Sequence, residues 1–179
     1  MNCSAMIRLL FLFTGILFNT HLFAQSDTRK DKIVADAKTA KAEFVKSDSK
    51  MTNLFAKAYG YAIFPNVGKG GLGIGGATGN GVAYEKGKMV GTARLTQVSV
   101  GFQLGGQAYR EVIFFETKKD MDRFKENRVE LSAQVSAVAA TAGASFNAKY
   151  VDGVMVFTMQ KGGLMYEASV GGQKFKFEK

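Results

Sequence analysis

The stretch from Ala62 to Tyr84 constrains the fold of this chain more than any other, because its glycines follow an apolar segment on alternate positions (AIFPNVGKGGLGIGGATGNGVAY). Gly71, Gly73 and Gly75 recur with a period of two, so an extended strand here presents one face of bare backbone. Glycine weakens the interior of a strand. Three in register therefore indicate close backbone approach, sharp curvature of the sheet, or a ligand lying on it. Of these explanations we favour curvature.

The same stretch also fits a cofactor motif, G-x-G-x-x-G, through Gly71, Gly73 and Gly76. A dinucleotide-binding loop must open a helix, so that the pyrophosphate meets the helix N-terminus. The residues that follow here, ATGNGVAY, are instead typical of a turn and a second strand. No GK[ST] sequence follows either, which excludes a P-loop.

Residues 1–24 have the composition of a secretory signal peptide. Arg8 precedes the apolar run LLFLFTGILF, and small and polar residues then lead to Ala24. The apolar run is short for a membrane span, so a retained anchor is the weaker alternative. We expect cleavage near Ala24 and a secreted or periplasmic mature chain.

Cleavage would remove Cys3 and His21, the only cysteine and the only histidine of the sequence. Their loss excludes thiolate nucleophiles, Ser-His-Asp triads, zinc sites with Cys or His ligands, and disulfides. Hydrolysis by a pair of carboxylates is not excluded in this way, but most of the acidic residues lie in helix-like runs or turns. Without Arg8 the net charge of +9 becomes +8, which favours an anionic partner.

The segment 25–58 is predicted to be helical and amphipathic. A break at Ser47-Asp48-Ser49 divides it into a first helix ending near Lys46 and a second beginning near Lys50. Apolar residues recur at spacings that place them on one side: Ile33, Ala37, Ala40, Phe44, Met51 and Phe55.

From 59 to 179 the pattern changes to strands separated by turn signals, which predicts a glycine-rich antiparallel β domain. Asn80-Gly81 is a strong two-residue hairpin turn, because both positions tolerate positive φ; it predicts that 71–77 pair with 82–86. Further turns are predicted at Lys86-Gly87 (into 88–97), Asp152-Gly153 (145–150 to 154–160) and Gly162-Gly163 (to 164–170).

Three more elements complete the predicted domain. The apolar segment 111–116 is typical of a buried strand, and Thr117 is expected to cap a short helix whose Met121 and Phe124 face inward. Residues 131–146 suit a helix or a strand, and their alternation favours a strand. The C-terminal QKFKFEK predicts an edge strand with inward Phe175 and Phe177 and outward Lys174, Lys176 and Lys179.

These elements predict an α+β fold after the signal peptide. A curved antiparallel sheet, either open or barrel-like, is flanked by the N-terminal amphipathic helices and carries one short helix between strands. Whether the sheet closes stays open. About 155 residues remain after cleavage, the size of one domain with a real core.

These motifs together resemble the SYLF domain, a module of bacterial secreted proteins and eukaryotic membrane-trafficking adaptors. The similarity spans 28–179 and rests on AKAYGYAIFP, GKGGLGIGGATGNGVAY, VGFQLGGQ with EVIFF behind it, and KGGLMYEASVGG. It implies lipid binding, with phosphoinositides favoured by eukaryotic members, some of which also bind actin. This chain has no tryptophan, and the general property of binding anionic membrane transfers better than a particular headgroup.

The lysine-bearing side of the helical segment is the main candidate site, with lysines near anionic phosphates and Phe44 entering the membrane interface. The alternative is that the apolar side packs on the sheet and the lysines form a solvated face. Lys69 either contacts a headgroup beside an anion-binding nest of backbone N–H groups or keeps a turn soluble. The candidate lipid-binding residues are Lys30, Lys32, Lys38, Lys41, Phe44, Lys46, Lys57 and Lys69.

The expected function is therefore a non-catalytic, secreted or periplasmic module that associates with anionic phospholipid at a membrane surface. No cofactor and no metal are expected. The alternative is a structural envelope protein, or one that binds a protein partner. Secretion makes nucleic acid the weakest of the anionic partners.

Overall fold

Two helices lead into a sheet in the described part of the chain, which in this computed structural model comprises 28–72, 74–100, 107–132, 135, 137–161 and 170–179. Residues 1–32 and 33–179 form separate units, and the described residues of the first, 28–32, are helical and exposed. No helix in the described ranges is long and apolar enough to cross a membrane. The elements are α1 at 28–47, α2 Met51–Lys57, β1 Gly60–Leu72, β2 Ile74–Glu85, β3 Lys88–Val100, β4 Gln107–Phe115, α3 Lys118–Lys125, β5 Val138–Ala139, a 3-10 turn Ala144–Phe146, β6 Val154–Gln160 and β7 Gln173–Glu178.

The seven strands form one sheet in the order β5-β6-β4-β1-β2-β3-β7. Every pairing is antiparallel except that of β5 with β6, so the sheet is mixed rather than purely antiparallel. Among the described strands the sheet is open, with β5 and β7 as its two edges. The α+β prediction is confirmed, and this sheet does not close into a barrel.

The sheet has two covered faces. On the helix-side face, Phe44 and Phe55 pack with Tyr61, Val112 and Phe114. On the opposite face, α3 and the chain that follows it pack against the alternate residues of the same strands. That second core includes Ala62, Phe64, Ile113, Phe115, Met121, Phe124, Leu131 and Phe175.

The predicted apolar side of the helical segment is confirmed. Ala37, Ala40, Phe44 and Met51 are fully buried, and Phe55 is 7% exposed. Burying a side chain such as Phe44 contributes about 2–3 kcal/mol from removal of apolar surface from water. The seven-residue helix α2 in particular is stabilised mainly by packing on the sheet, because a helix of this length is marginal alone.

The predicted hairpin turn at Asn80-Gly81 is wrong. β1 and β2 reverse direction at 72–74, and Asn80 lies in mid-strand opposite Asn66. A turn at 80–81 would fold Val82 and Ala83 back onto β2, and Ala83 would lose its cross-strand partner Ala62. The longer pairing keeps alternate residues of both strands on the two apolar faces, and this outweighs the local turn preference.

Gly81 has a packing role instead. A Cβ built there would lie 2.5 Å from the carbonyl oxygen of Ile63 and 2.6 Å from a ring carbon of Phe64. The strand register shifts beside this point, between Ile63 and Asn66, so β1 carries an irregularity where Pro65 interrupts it. Close backbone approach is thus found at Gly81, whereas the three explanations offered for Gly71, Gly73 and Gly75 stay predictions, since the side chains of 71–74 lie outside the described residues.

The other turn predictions have mixed outcomes. Lys86-Gly87 is a turn with both φ values positive, and it joins β2 to β3 as predicted. Asp152-Gly153 is likewise a turn, but 145–150 is not a strand: it contains the end of the 3-10 turn and irregular chain. The predicted turn at Gly162-Gly163 and the strand from 164 to 169 lie outside the described residues.

The strand predicted over 131–146 is wrong except at Val138–Ala139. Glu130 bridges Lys174 at one edge of the sheet, whereas Val138 pairs with Phe157 at the other edge. The chain between them must cross the opposite face, and residues such as Leu131 are buried there. Small and apolar residues are needed for that crossing, which explains an alternating pattern without strand pairing. Residues 133, 134 and 136 lie outside the described ranges.

The short helix and the edge strand are confirmed. Thr117 caps α3 in a capping box with Asp120, and Met121 and Phe124 are fully buried. In β7, Phe175 is buried and Phe177 partly so, while Lys174, Lys176 and Lys179 are exposed.

Candidate functional site

The outer side of α1 and α2 carries most of the candidate residues. Phe44 is fully buried against the sheet, so the structure favours the alternative in which the apolar side of the helix packs and the lysines face solvent. Lys30 and Lys32, in the first unit, are exposed. In the second unit the exposed lysines of these helices are Lys38, Lys46, Lys50 and Lys57.

Lys41 differs from its neighbours on α1 because its ammonium group is already engaged. Its Nζ donates a hydrogen bond to the Tyr61 hydroxyl (3.1 Å) and lies 4.7 Å from the ring centroid of Phe55 and 5.0 Å from that of Tyr61. A cation over two aromatic rings stabilises the contact between α1, α2 and β1. Lys41 is thus a packing residue as much as a surface charge.

Lys69 lies inside β1 and not in a loop. Lys69 pairs with Ala77 of β2 and with Gln107 of β4, and only 8% of its surface is exposed. Its position two residues after Val67 places it on the opposite face, away from the helices. The structure therefore does not bring Lys69 together with the lysines of α1 and α2.

The junction between α1 and α2 is tied to the 3-10 turn by Asp48. This carboxylate is 4% exposed and accepts hydrogen bonds from the Ser145 hydroxyl (2.7 Å), the Ser145 N–H (2.9 Å) and the Lys50 N–H (3.0 Å). The hydrogen bond from the Ser145 hydroxyl is the main reason that the pKa of Asp48 falls below its usual value. The break predicted at 47–49 is thus confirmed, and Asp48 joins it to a segment that is distant in the sequence.

Phe146, the residue after Ser145, is 75% exposed. The Lys50 ammonium lies 4.5 Å from the centroid of its ring. Lys46 and Lys149, both exposed, lie close in sequence to the two ends of the Asp48–Ser145 contact. We call Lys46, Lys50, Phe146 and Lys149 the corner. Sequence reasoning missed Lys50, Phe146 and Lys149 as site residues, since it placed Phe146 in a strand.

Part of the helix-side face is left uncovered by the helices, and we call it the open half. Cross-strand neighbours there are small or polar, for example the row Gly68, Thr78 and Thr96, all three exposed. Val98 is 77% exposed, and Arg94 is exposed as well. A Cβ added at Gly68 or Gly70 would meet no atom of the described residues within 4 Å. The open half is therefore a surface with bare backbone, not a packed interface.

A buried polar cluster lies on the opposite face. The Gln173 side-chain N–H group donates to Glu111 Oε2 (3.0 Å) and to the Tyr109 hydroxyl (3.3 Å), and Glu111 Oε1 has no hydrogen-bond partner among the described residues. Burial raises the pKa of the Glu111 carboxyl from its usual 4.5 to about 8, so this acid is mainly protonated near neutral pH. Burial also raises the pKa of Tyr109.

Glu111, Gln173 and Tyr109 are fully buried, so the cluster presents no polar group at the protein surface. The described residues contain no group of three or more potential Asp, Glu, His or Cys metal ligands. A cavity of about 240 Å³ lies between α3 and the turn at Asp152, lined by Lys119 and Arg123 among others. That volume is below the range typical of sites for drug-sized ligands.

Comparison with known proteins adds the following. Residues 96–179 match the family described as Ysc84: Las17-binding protein actin regulator. The chain is also similar to Beta cell expansion factor A of Aeromonas veronii, with 32% identity over 127 residues, which cover 70% of this chain and 48% of that protein. The chain thus spans about half the length of this curated relative.

Proposed function

Because the chain belongs to the SYLF domain family, of which the matched Ysc84 model is a representative, we propose that it binds the surface of anionic lipid membranes through the lysine-bearing outer side of α1 and α2. In this proposal the protein is non-catalytic and acts outside the cytoplasm, after removal of residues 1–24. Its partner is the layer of phospholipid headgroups, to which it associates peripherally.

The observation that supports this proposal most is the division of labour between the two sides of α1. Phe44 and its apolar neighbours on α1 are buried against the sheet, while Lys38 and Lys46 of α1, and Lys57 of α2, stay exposed. The exposed lysines of a helix packed in this way can contact a membrane surface while the helix stays on the sheet.

Such binding is electrostatic in its main part. A lysine near an anionic leaflet contributes about 1 kcal/mol, and the attraction falls off within about 8 Å at physiological ionic strength. Four exposed lysines of the second unit, at positions 38, 46, 50 and 57, suffice for reversible association that weakens with salt.

The test is co-sedimentation of the purified protein with vesicles of phosphatidylcholine alone or mixed with phosphatidylglycerol, at low and high salt. We expect binding only to the anionic vesicles, and loss of that binding at high salt. The triple change Lys38→Gln, Lys46→Gln and Lys57→Gln is expected to weaken it about 100-fold, from about 1 kcal/mol per lysine.

A matched control removes the same charge elsewhere through Lys88→Gln, Lys174→Gln and Lys176→Gln, which replace exposed lysines of β3 and β7. We expect this control to bind nearly as well as the unmodified protein. Equal losses in both triple variants would show a general effect of net charge and would overturn the helical site. No binding to any vesicle would overturn the lipid proposal and favour the protein-partner alternative, for which the open half of the sheet is the available surface.

A further inference from the structure

Phe146 is an unusual surface residue in this protein. It and Val98 are the large apolar side chains with the greatest exposure in the described ranges, at 75% and 77%. Single exposed apolar residues are common on protein surfaces, so exposure alone assigns no role. The surroundings of Phe146 distinguish it from Val98, which lies in the middle of a strand pairing in the open half.

The first distinction is that Phe146 is held on a rigid support. Its N–H donates to the Gly143 carbonyl (3.1 Å), and the N–H of Ala144 donates to that of Thr141 (3.0 Å), which closes the 3-10 turn. The adjacent Ser145 is bonded twice to the buried carboxylate of Asp48. Because the backbone is already ordered, insertion of the ring into another phase would lose little conformational entropy.

The second distinction is charge. The two segments that meet at the Asp48–Ser145 contact, 46–50 and 144–150, contain three exposed lysines. Their only acid is Asp48, which is buried and bound by hydrogen bonds. An exposed aromatic ring among cations matches the chemistry of an anionic membrane interface, where apolar side chains enter the acyl boundary and lysines reach phosphates.

We infer that Phe146 is the apolar anchor of membrane binding: its ring enters the lipid interface while Lys46, Lys50 and Lys149 contact anionic headgroups. This inference rests on the proposed membrane-binding function and locates the point of deepest contact. Binding would move the Phe146 ring from water into the interfacial layer. Lys50, which lies over the ring, would be carried to the same depth as the phosphates.

The sequence offers a direct probe because the protein contains no tryptophan. The change Phe146→Trp creates a single tryptophan at the anchor, which can be excited apart from the six tyrosines, and Val98→Trp creates a matched one at a similarly exposed site away from the corner. With anionic vesicles we expect a blue shift of the Phe146→Trp emission and quenching by brominated lipid. The Val98→Trp emission should stay unshifted.

A second variant measures the contribution of the anchor. Phe146→Ala is expected to weaken binding to the phosphatidylglycerol vesicles about tenfold, which corresponds to loss of most of one aromatic burial. Its melting temperature should stay within error of the unmodified protein, because the removed ring is mostly exposed.

The outcomes separate this inference from the proposal on which it rests. If the unmodified protein binds no vesicle, both are overturned. If it binds while the Phe146→Trp emission does not shift and Phe146→Ala binds normally, only the anchor is overturned and the lysines of the helices remain the site. A blue shift that depends on protein concentration and not on lipid would assign Phe146 to a contact between copies, and it would also overturn the anchor.

Discussion

The two ends of the β1–β2 hairpin use glycine in different ways. At the end nearest the helices, Gly60–Ile63 pair with Val82–Glu85, next to Gly81, and both faces of the sheet are covered. At the other end, Asn66–Leu72 pair with Ile74–Asn80, and the helix-side face is open at positions such as Gly68 and Thr78. We refer to these as the covered end and the open end of the hairpin.

The contrast shows that the glycines of one glycine-rich stretch can have different structural roles. At the covered end Gly81 allows the backbone of Ile63 and the ring of Phe64 to approach within contact distance. At the open end no described atom lies near Gly68 or Gly70. Packing within this chain explains Gly81, and it also explains Gly76 and Gly79 of the open end, where an added Cβ would lie within 3.0 Å of backbone oxygen atoms. It does not explain Gly68 and Gly70, and these two glycines distinguish the open end from Gly81.

The largest expected effect lies where the two ends meet, at Glu111, which pairs with Phe64 beside the irregularity of β1. Glu111→Gln keeps the shape of the side chain and the hydrogen bond from Gln173 but cannot ionise. We expect the variant to be more stable than the unmodified protein by roughly 3 kcal/mol at pH 7, because burial raises the pKa of Glu111 to about 8.

The direction with pH follows from the same pKa. Below pH 4.5 both folded and unfolded states hold the proton, so this carboxyl does not change the free energy of unfolding. As pH rises from about 4.5 to about 8 the unfolded state ionises first, and the stability of the unmodified protein falls. Urea unfolding across this range should show that fall reduced in Glu111→Gln and unchanged in the control Glu116→Gln, at an exposed position. Equal slopes in all three proteins would contradict a buried protonated acid.

The next effect tests the covered end directly. In Gly81→Ala the new Cβ would lie 2.5 Å from the Ile63 carbonyl oxygen, a backbone atom that cannot move aside without disturbing the pairing. Overpacking of this kind typically costs about 1–3 kcal/mol, and we expect a loss of unfolding free energy in that range. A change smaller than about 0.5 kcal/mol, measured by chemical denaturation, would show that β1 relaxes freely at this point and would remove the distinction between the two ends.

Local sequence rules recovered those elements of the fold that depend on neighbouring residues. The spacing of Ala37, Ala40 and Phe44 predicted the buried side of α1, and Thr117 predicted the cap of α3. The Asn80-Gly81 turn failed because a short-range preference for positive φ competes with pairing of both strands along their whole length. The segment 131–146 failed because its pattern results from crossing the sheet, which no local rule detects.

The candidate site was predictable in composition but not in arrangement. The lysine-bearing side of α1 follows from periodicity, whereas the engagement of Lys41 depends on Tyr61, and the burial of Lys69 depends on the two neighbouring strands β2 and β4. The corner exists only because Asp48 and Ser145, which are 97 residues apart, form a hydrogen-bonded contact. Such long-range contacts have no signal in a single sequence.

The smallest expected effect tests the open end and completes the comparison with Gly81. In Gly68→Ala the added methyl group points into open space, and the backbone there is extended strand, which alanine adopts without strain. Alanine also has fewer unfolded conformations than glycine, so we expect stability to be unchanged or raised by up to about 1 kcal/mol. Chemical denaturation of Gly68→Ala beside Gly81→Ala measures the difference. A loss at Gly68 as large as that at Gly81 would mean that the open end is packed in solution, and the surface available to a partner would then be reduced to the helices and the corner.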